Sequence, residues 1–213
     1  MVTAVKERAP NVEYMKLHIP SLEVMWDTDS ILPKGPTLQR SRNTHLTSRQ
    51  HTFLEALHRV GSDPVVMFED DVILTQQFCK KAEAAIRQRP KAVIQFFSRR
   101  AKDIEVGSHW QIGSVYLMNQ CFYLPPRMAK AVANYLPNWF KEQLALGENH
   151  FGAIDTMLAR CFADYKIKHW VSIPSLVEHS IGVSTHHPSR AKKRQSNTFT
   201  APELFGKPDS LVL

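Results

Sequence analysis

The chain has 213 residues, 43% hydrophobic and 22% charged, the balance of a folded globular protein rather than a disordered one. That length fits one large domain or two small ones with a sizeable core. Lys and Arg outnumber Asp and Glu by 27 to 20, a net charge of +7, which favours anionic partners such as nucleic acid, nucleotide phosphates or anionic lipid without choosing among them.

The N-terminal stretch MVTAVKERAP has no apolar signal region, and no window approaches eighteen apolar residues, so no membrane-spanning segment is expected. Cys79, Cys121 and Cys161 are odd in number and far apart, with no CxxC pair, which argues against a zinc ribbon or a disulfide framework. Reduced, buried packing roles are expected for all three, as suits a cytoplasmic protein.

In chain order, residues 2–5 and 23–26 read as short strands with a helix over 7–18 between them. The span 38–60 is helical by pattern, with Leu46, Gln50, Phe53, Leu54 and Leu57 near one face and Gly61 as its stop. A strand at 65–68 follows. Thr75 is expected to cap a helix over 76–88 that turns Phe78, Cys79, Ala82, Ala85 and Ile86 inward, and 92–97 is a further buried strand. This alternation predicts an α/β fold with a mostly parallel, Rossmann-like sheet and covering helices. The second half predicts a strand at 115–124, a helix from Pro126 to about 136, an amphipathic helix over 151–165 and a strand near 167–173. Residues 181–213 read as an irregular basic tail. With no repeat or linker in sight, one domain is the simpler organisation.

The stretch VVMFEDDVILT at 65–75 carries the most chemistry. Its apolar strand runs into Glu69, Asp70 and Asp71, placing three acids at the carboxyl edge of a sheet, where open α/β sheets bind ligands. Acids that close repel one another, and a cation relieves the repulsion. The chain has no GxGxxG and no GxxxxGKS, so a divalent Mn²⁺ or Mg²⁺ held by acids is the natural substitute for a glycine-rich phosphate loop. Strand alternation puts Glu69 and Asp71 on one side and Asp70 opposite. Asp71 is the first candidate for metal contact, with Glu69 or Asp70 reaching ribose or sugar hydroxyls.

The apolar strand ending in EDDV resembles the acidic motif of GT-A fold glycosyltransferases. The likeness extends over MWDTDS, AVIQFFSRR, CFYLPPRMAKAV, FGAIDTMLARCF and IPSLVEHSIGVST, roughly residues 2–199. The ordered set is similar to the lipopolysaccharide-type family, and more closely to short phage-encoded glycosyltransferases thought to decorate hydroxymethylated pyrimidines in DNA. The motif departs from the family pattern in being acidic at all three positions, which leaves the roles of Glu69, Asp70 and Asp71 open.

The resemblance implies a GT-A-like domain whose residues 1–100 bind a nucleotide-sugar donor, of the UDP-sugar kind, and whose residues 101–180 meet the acceptor. It implies a metal on Asp71 with His179 completing the shell, Glu178 being the weaker alternative. Asp155 is the candidate general base, with Glu148 its rival, and a base there favours inversion. Asp27 and Asn43, with Arg40, are candidates for contact with the donor's base, ribose or phosphates. Ser184, His186 and Arg190 could close over the diphosphate. The basic segments 98–102 and 190–194 could follow a DNA backbone, and Trp110 and Trp139 could stack on a base or sugar. A cell-surface glycan acceptor, a metal-dependent nuclease or phosphohydrolase, and a non-catalytic nucleic-acid-binding protein are the alternatives.

Overall fold

The structure, a computed structural model, describes residues 1–4, 8–26, 48–117, 119–145, 154–180 and 195–199. Nine strands and six α-helices are formed among them: β1 (Val2–Ala4), α1 (Ala9–His18), β2 (Val24–Trp26), α2 (Ser48–Val60), β3 (Val65–Glu69), β4 (Val72–Leu74), α3 (Phe78–Gln88), β5 (Val93–Gln95), α4 (Lys102–Val106), β6 (His109–Ile112), β7 (Cys121–Leu124), α5 (Met128–Ala145), α6 (Ile154–Asp164), β8 (Lys168–Val171) and β9 (Val177–His179). No helix among the described residues is long and apolar enough to cross a membrane.

Seven strands make one sheet in the order β2-β1-β3-β7-β5-β8-β6, and β4 and β9 form a separate two-stranded ribbon. The mostly parallel, Rossmann-like sheet expected from the sequence is not what forms. The β1·β2, β1·β3 and β5·β8 pairings are parallel, but β3·β7, β5·β7 and β6·β8 are antiparallel, so the α/β sheet is mixed. The cause lies between β5 and β7. A parallel return needs a crossover, usually a full helix, whereas this connection holds only the five-residue α4, the strand β6 and a single 3₁₀ turn at Gly113–Val115.

All four residues of β7, Cys-Phe-Tyr-Leu, are buried, as a central strand covered on both faces requires. Its neighbour β3 is in register with Met67 opposite Phe122 and Phe68 opposite Cys121. Alternation therefore splits the core in two. Met67, Phe122 and Leu124 join Phe53 and Leu57 of α2, Leu136 of α5 and Phe162 of α6 on one face. Phe68, Cys121 and Tyr123 join Met15 of α1, Phe78 of α3, Ile94 and Phe96 on the other.

Several boundaries move for local reasons. Of the helix expected over 38–60, the described part is 48–60, where Gln50, Phe53 and Leu57 are buried as the pattern predicted. Thr75 does not cap α3; the N-cap is Gln77 in a left-handed conformation, and Thr75 instead hydrogen-bonds through its N–H to the Leu176 carbonyl at 2.9 Å. Cys79 is exposed rather than inward, while Cys121 and Cys161 are buried. Helix α5 runs past Pro137 to Ala145, because Trp139 and Phe140 continue its buried face and outweigh one lost backbone hydrogen bond.

Candidate metal and donor site

Strand β3 ends as expected in the acid cluster, and the chain turns at Asp70 and Asp71 into β4. β4 pairs antiparallel with β9, Val72 opposite His179, Ile73 opposite Glu178 and Leu74 opposite Val177. The ribbon continues one step further, with the Ser180 N–H donating to the Asp71 carbonyl at 2.8 Å. That register carries His179 onto the acid turn from 108 positions along the chain, and its Nε2 stands 3.2 Å from Asp71 Oδ2.

The imidazole is almost wholly buried, and its Nδ1 lies 2.8 Å from the Ser180 carbonyl. Nε2 is sealed from solvent and hydrogen-bonded to no described residue. The 3.2 Å approach to Asp71 Oδ2 is an ion-pair contact. Burial by itself lowers the affinity of His179 for a proton, but the Asp71 carboxylate, the Ser180 carbonyl and the charge of Glu69 more than offset it, and its pKa is raised.

The other acids are placed differently. Glu69 is buried, its carboxylate accepting from Gln120 Nε2 at 3.1 Å and its N–H donating to the Gln120 carbonyl at 2.9 Å. Asp70 is half-buried, and its carbonyl accepts from Asn11 Nδ2 at 2.6 Å; the same amide lies 3.2 Å from the Val72 carbonyl. Asn11, in the first turn of α1, thus ties that helix to the acid turn. Arg8, immediately before α1, places Nη2 3.9 Å from Asp71 Oδ2 and Nη1 3.4 Å from Ser180 Oγ. Glu178 faces away from Asp71 on β9; its carboxylate accepts from the N–H groups of Ser196 at 2.9 and 3.0 Å and of His179 at 2.8 Å. Burial raises its pKa, and those N–H groups oppose the rise.

Asp155 sits in the first turn of α6, half-buried, with Oδ1 accepting from the Thr156 N–H at 2.9 Å. Its charge bears on Tyr116, which is fully buried with no hydrogen-bond partner for its hydroxyl among the described residues. Burial first, then Asp155, Cys121 and Glu69, hold the Tyr116 phenol well above its usual pKa. Tyr116 thus lies within the electrostatic reach of both Asp155 and Glu69. Trp110 is half exposed and meets Trp170 edge to face at 5.5 Å, while Trp139 is buried against Phe140. Asp27, Arg40, Asn43, Glu148, Ser184, His186, Arg190 and the basic segment 190–194 lie outside the described residues.

The Asp71–His179 pair fits a divalent ion. Two ligands about 2.1 Å from an octahedral ion and at right angles are about 3 Å apart, close to the separation observed. Among the described residues no group of three or more His, Cys, Asp or Glu is arranged to hold a metal. An ion here would take two protein ligands and complete its shell with water and phosphate oxygens, the usual habit of Mg²⁺. A cavity of about 600 Å³ opens instead at the other end of the sheet, lined by Leu22, Val66, Phe78 and Ile86, and holds none of these residues. Sequence reasoning missed Arg8, Asn11, Gln120 and Ser180. Gln120 left a trace, a polar residue flush against the buried Cys-Phe-Tyr-Leu strand; Arg8 left none, reading as one of several charges ahead of a helix. No family model and no curated protein matches the chain.

Proposed function

We propose that the protein is a metal-dependent glycosyltransferase that moves a sugar from a nucleotide-diphosphate sugar, of the UDP-sugar kind, to a hydroxyl acceptor. The observation that carries this reading is the convergence of Asp71 and His179 to 3.2 Å at the carboxyl edge of β3. The acidic motif and the late histidine are the two features that the glycosyltransferase resemblance requires to meet.

In this reading Asp71 and His179 hold Mn²⁺ or Mg²⁺, which would neutralise the diphosphate and the charge it gains on leaving. Asp70 and Glu69 serve the donor hydroxyls, with Gln120 fixing the Glu69 carboxylate. Asp155 takes the proton of the acceptor hydroxyl as its oxygen bonds to the anomeric carbon and the bond from that carbon to the diphosphate oxygen breaks. The net charge of +7 supports a polyanionic acceptor, and DNA carrying a hydroxymethylated pyrimidine is one.

The test is turnover. Incubation with UDP-sugars, Mn²⁺ and DNA carrying hydroxymethylated pyrimidines is expected to release the nucleotide and add a hexose mass to the DNA. Chelator or Asp71→Asn abolishes the reaction, and Asp155→Asn slows it by about 10²–10⁴-fold. Strand cleavage of unmodified DNA with Mg²⁺ and no sugar transfer would replace this reading with a nuclease.

A further inference from the structure

The exposed apolar side chains are not scattered. Of the nine large ones among the described residues, six fall between positions 104 and 117: Ile104 and Val106 on α4, Trp110 and Ile112 on β6, and Val115 and Leu117 at and after the 3₁₀ turn, each 37–58% exposed. Two contacts tie these pieces together. His109 Nε2 lies 3.5 Å from Asp103 Oδ1, and the Arg100 guanidinium donates to the Val115 carbonyl. Strand β6 also ends the seven-stranded sheet, and no described strand pairs with its outer edge. An antiparallel edge strand turns the N–H and C=O groups of alternate residues outward, a template for another strand. Edges that stay single are commonly guarded by charge, above all by lysine. β6, His-Trp-Gln-Ile, contains no Lys, Arg, Asp or Glu.

We propose that β6 is a self-association edge, at which β6 of one copy pairs antiparallel with β6 of a second. About a two-fold axis normal to the sheet and passing through Gln111, Trp110 lies opposite Ile112 of the second copy, an aromatic–β-branched pair. Within one copy Ile94, Trp170 and Trp110 are already neighbours in register, so the pairing extends that row across the junction. Charge favours a second copy over a polyanion as the occupant. A phosphodiester strand would need basic side chains between the apolar ones, and β6 supplies none. Two copies at +7 each repel, so their closest approach is favoured where the edge is neutral. The six side chains leave roughly 400 Å² of apolar surface. With the edge backbone and a polar rim, this reaches the roughly 600 Å² per partner of the smaller specific interfaces, which suits a dimer formed at micromolar concentration. The proposal does not depend on the metal reading, since β6 stands four strands away from β3.

Sedimentation equilibrium of the full chain from about 1 to about 100 μM tests this. The mass is expected to move from 24.4 kDa towards twice that value. Ile112→Glu is the informative variant. Within one copy its carboxylate sits opposite Lys168 on β8, which keeps the strand paired, but in the dimer it is set against Trp110 of the second copy. Ile112→Glu and Trp110→Glu are each expected to weaken dimerisation by about tenfold or more, the cost of a carboxylate held in an apolar contact. Leu17→Glu, at an 82% exposed leucine on α1, is expected to leave it unchanged. A wild type that stays at 24.4 kDa throughout overturns the proposal and assigns the patch to a different partner. A dimer that both β6 variants leave intact overturns it too, by placing the contact elsewhere. Should neither variant fold, hydrogen exchange on the wild type carries the test. Amides within 109–112 are expected to exchange more slowly at about 100 μM than at about 1 μM, and equal exchange at the two concentrations overturns the pairing.

Discussion

His169 on β8 is the residue whose environment makes the sharpest solution prediction. It is fully buried between β5 and β6, edge-on to Tyr116 at 5.1 Å, and neither ring nitrogen finds a hydrogen-bond partner among the described residues. Burial, then the charges of Arg100 and His109, push its pKa from 6.5 down to about 4. A depressed folded-state pKa contributes stability that is present above the unfolded value and lost as pH falls through the folded one. The window is therefore pH 6.5 to about 4, and a shift of that size is worth about 3 kcal/mol. Unfolding in urea across this window should show stability falling with acidity, and His169→Gln should flatten that part of the profile. A wild-type profile already flat between these pH values would mean that His169 is protonated or solvated in the fold.

At the scale of elements, Gly113 shows how tightly α6 is seated. A β-carbon added at Gly113 would lie 2.5 Å from the Phe162 carbonyl carbon and β-carbon and 2.7 Å from the Ile167 carbonyl oxygen. Backbone atoms cannot step aside cheaply, so Gly113→Ala is expected to cost about 3 kcal/mol, the upper end of overpacking effects. In a chain of this size that corresponds to a fall in Tm of roughly 6–12 °C. Gly107→Ala makes the comparison: its φ of 69° with ψ of −157° is a conformation strained for alanine, but its surroundings are open, so a cost of about 1–3 kcal/mol, from backbone strain alone, is expected. Calorimetry that ranks Gly107→Ala as the costlier of the two would contradict this packing of the 3₁₀ turn against α6.

The same elements show what a sequence can reveal. Strand β3 and its acid tip were legible because four apolar residues ahead of three acids allow few other readings. The helices α3 and α6 were legible from their periodicity. Strands β4 and β9 were not, since three-residue runs carry no period, and each is defined only by its partner 103–107 positions away in register. The mixed sheet was hidden for the same reason: β7 reads as a buried strand in either direction, and its connection from β5 holds no helix longer than the five-residue α4 to signal how it returns. His179 was placed beside Asp71 by the family resemblance and by nothing in its own neighbourhood, and Arg8 was not legible at all, because its contacts exist only after β4 meets β9.

Considered whole, the molecule gathers Arg8, Asp71 and His179 from its beginning, middle and end onto one edge of the sheet, with Asn11 and Gln120 fixing the backbone and carboxylate around them. Distant parts of the chain are thereby coupled to any ligand bound at this edge, and a ligand that binds only the folded state raises the melting temperature by mass action, by about 2.7 kcal/mol of stability at a hundredfold excess over its Kd. The most direct test of the proposed metal and donor site is therefore the Tm of wild type and Asp71→Asn with a panel of nucleotide diphosphates and nucleotide sugars, each with Mn²⁺, Mg²⁺ or chelator. The account predicts a rise of several degrees for one nucleotide family in wild type with metal, abolished by chelator and absent in Asp71→Asn. No shift with any nucleotide, or an equal shift in Asp71→Asn, would contradict it.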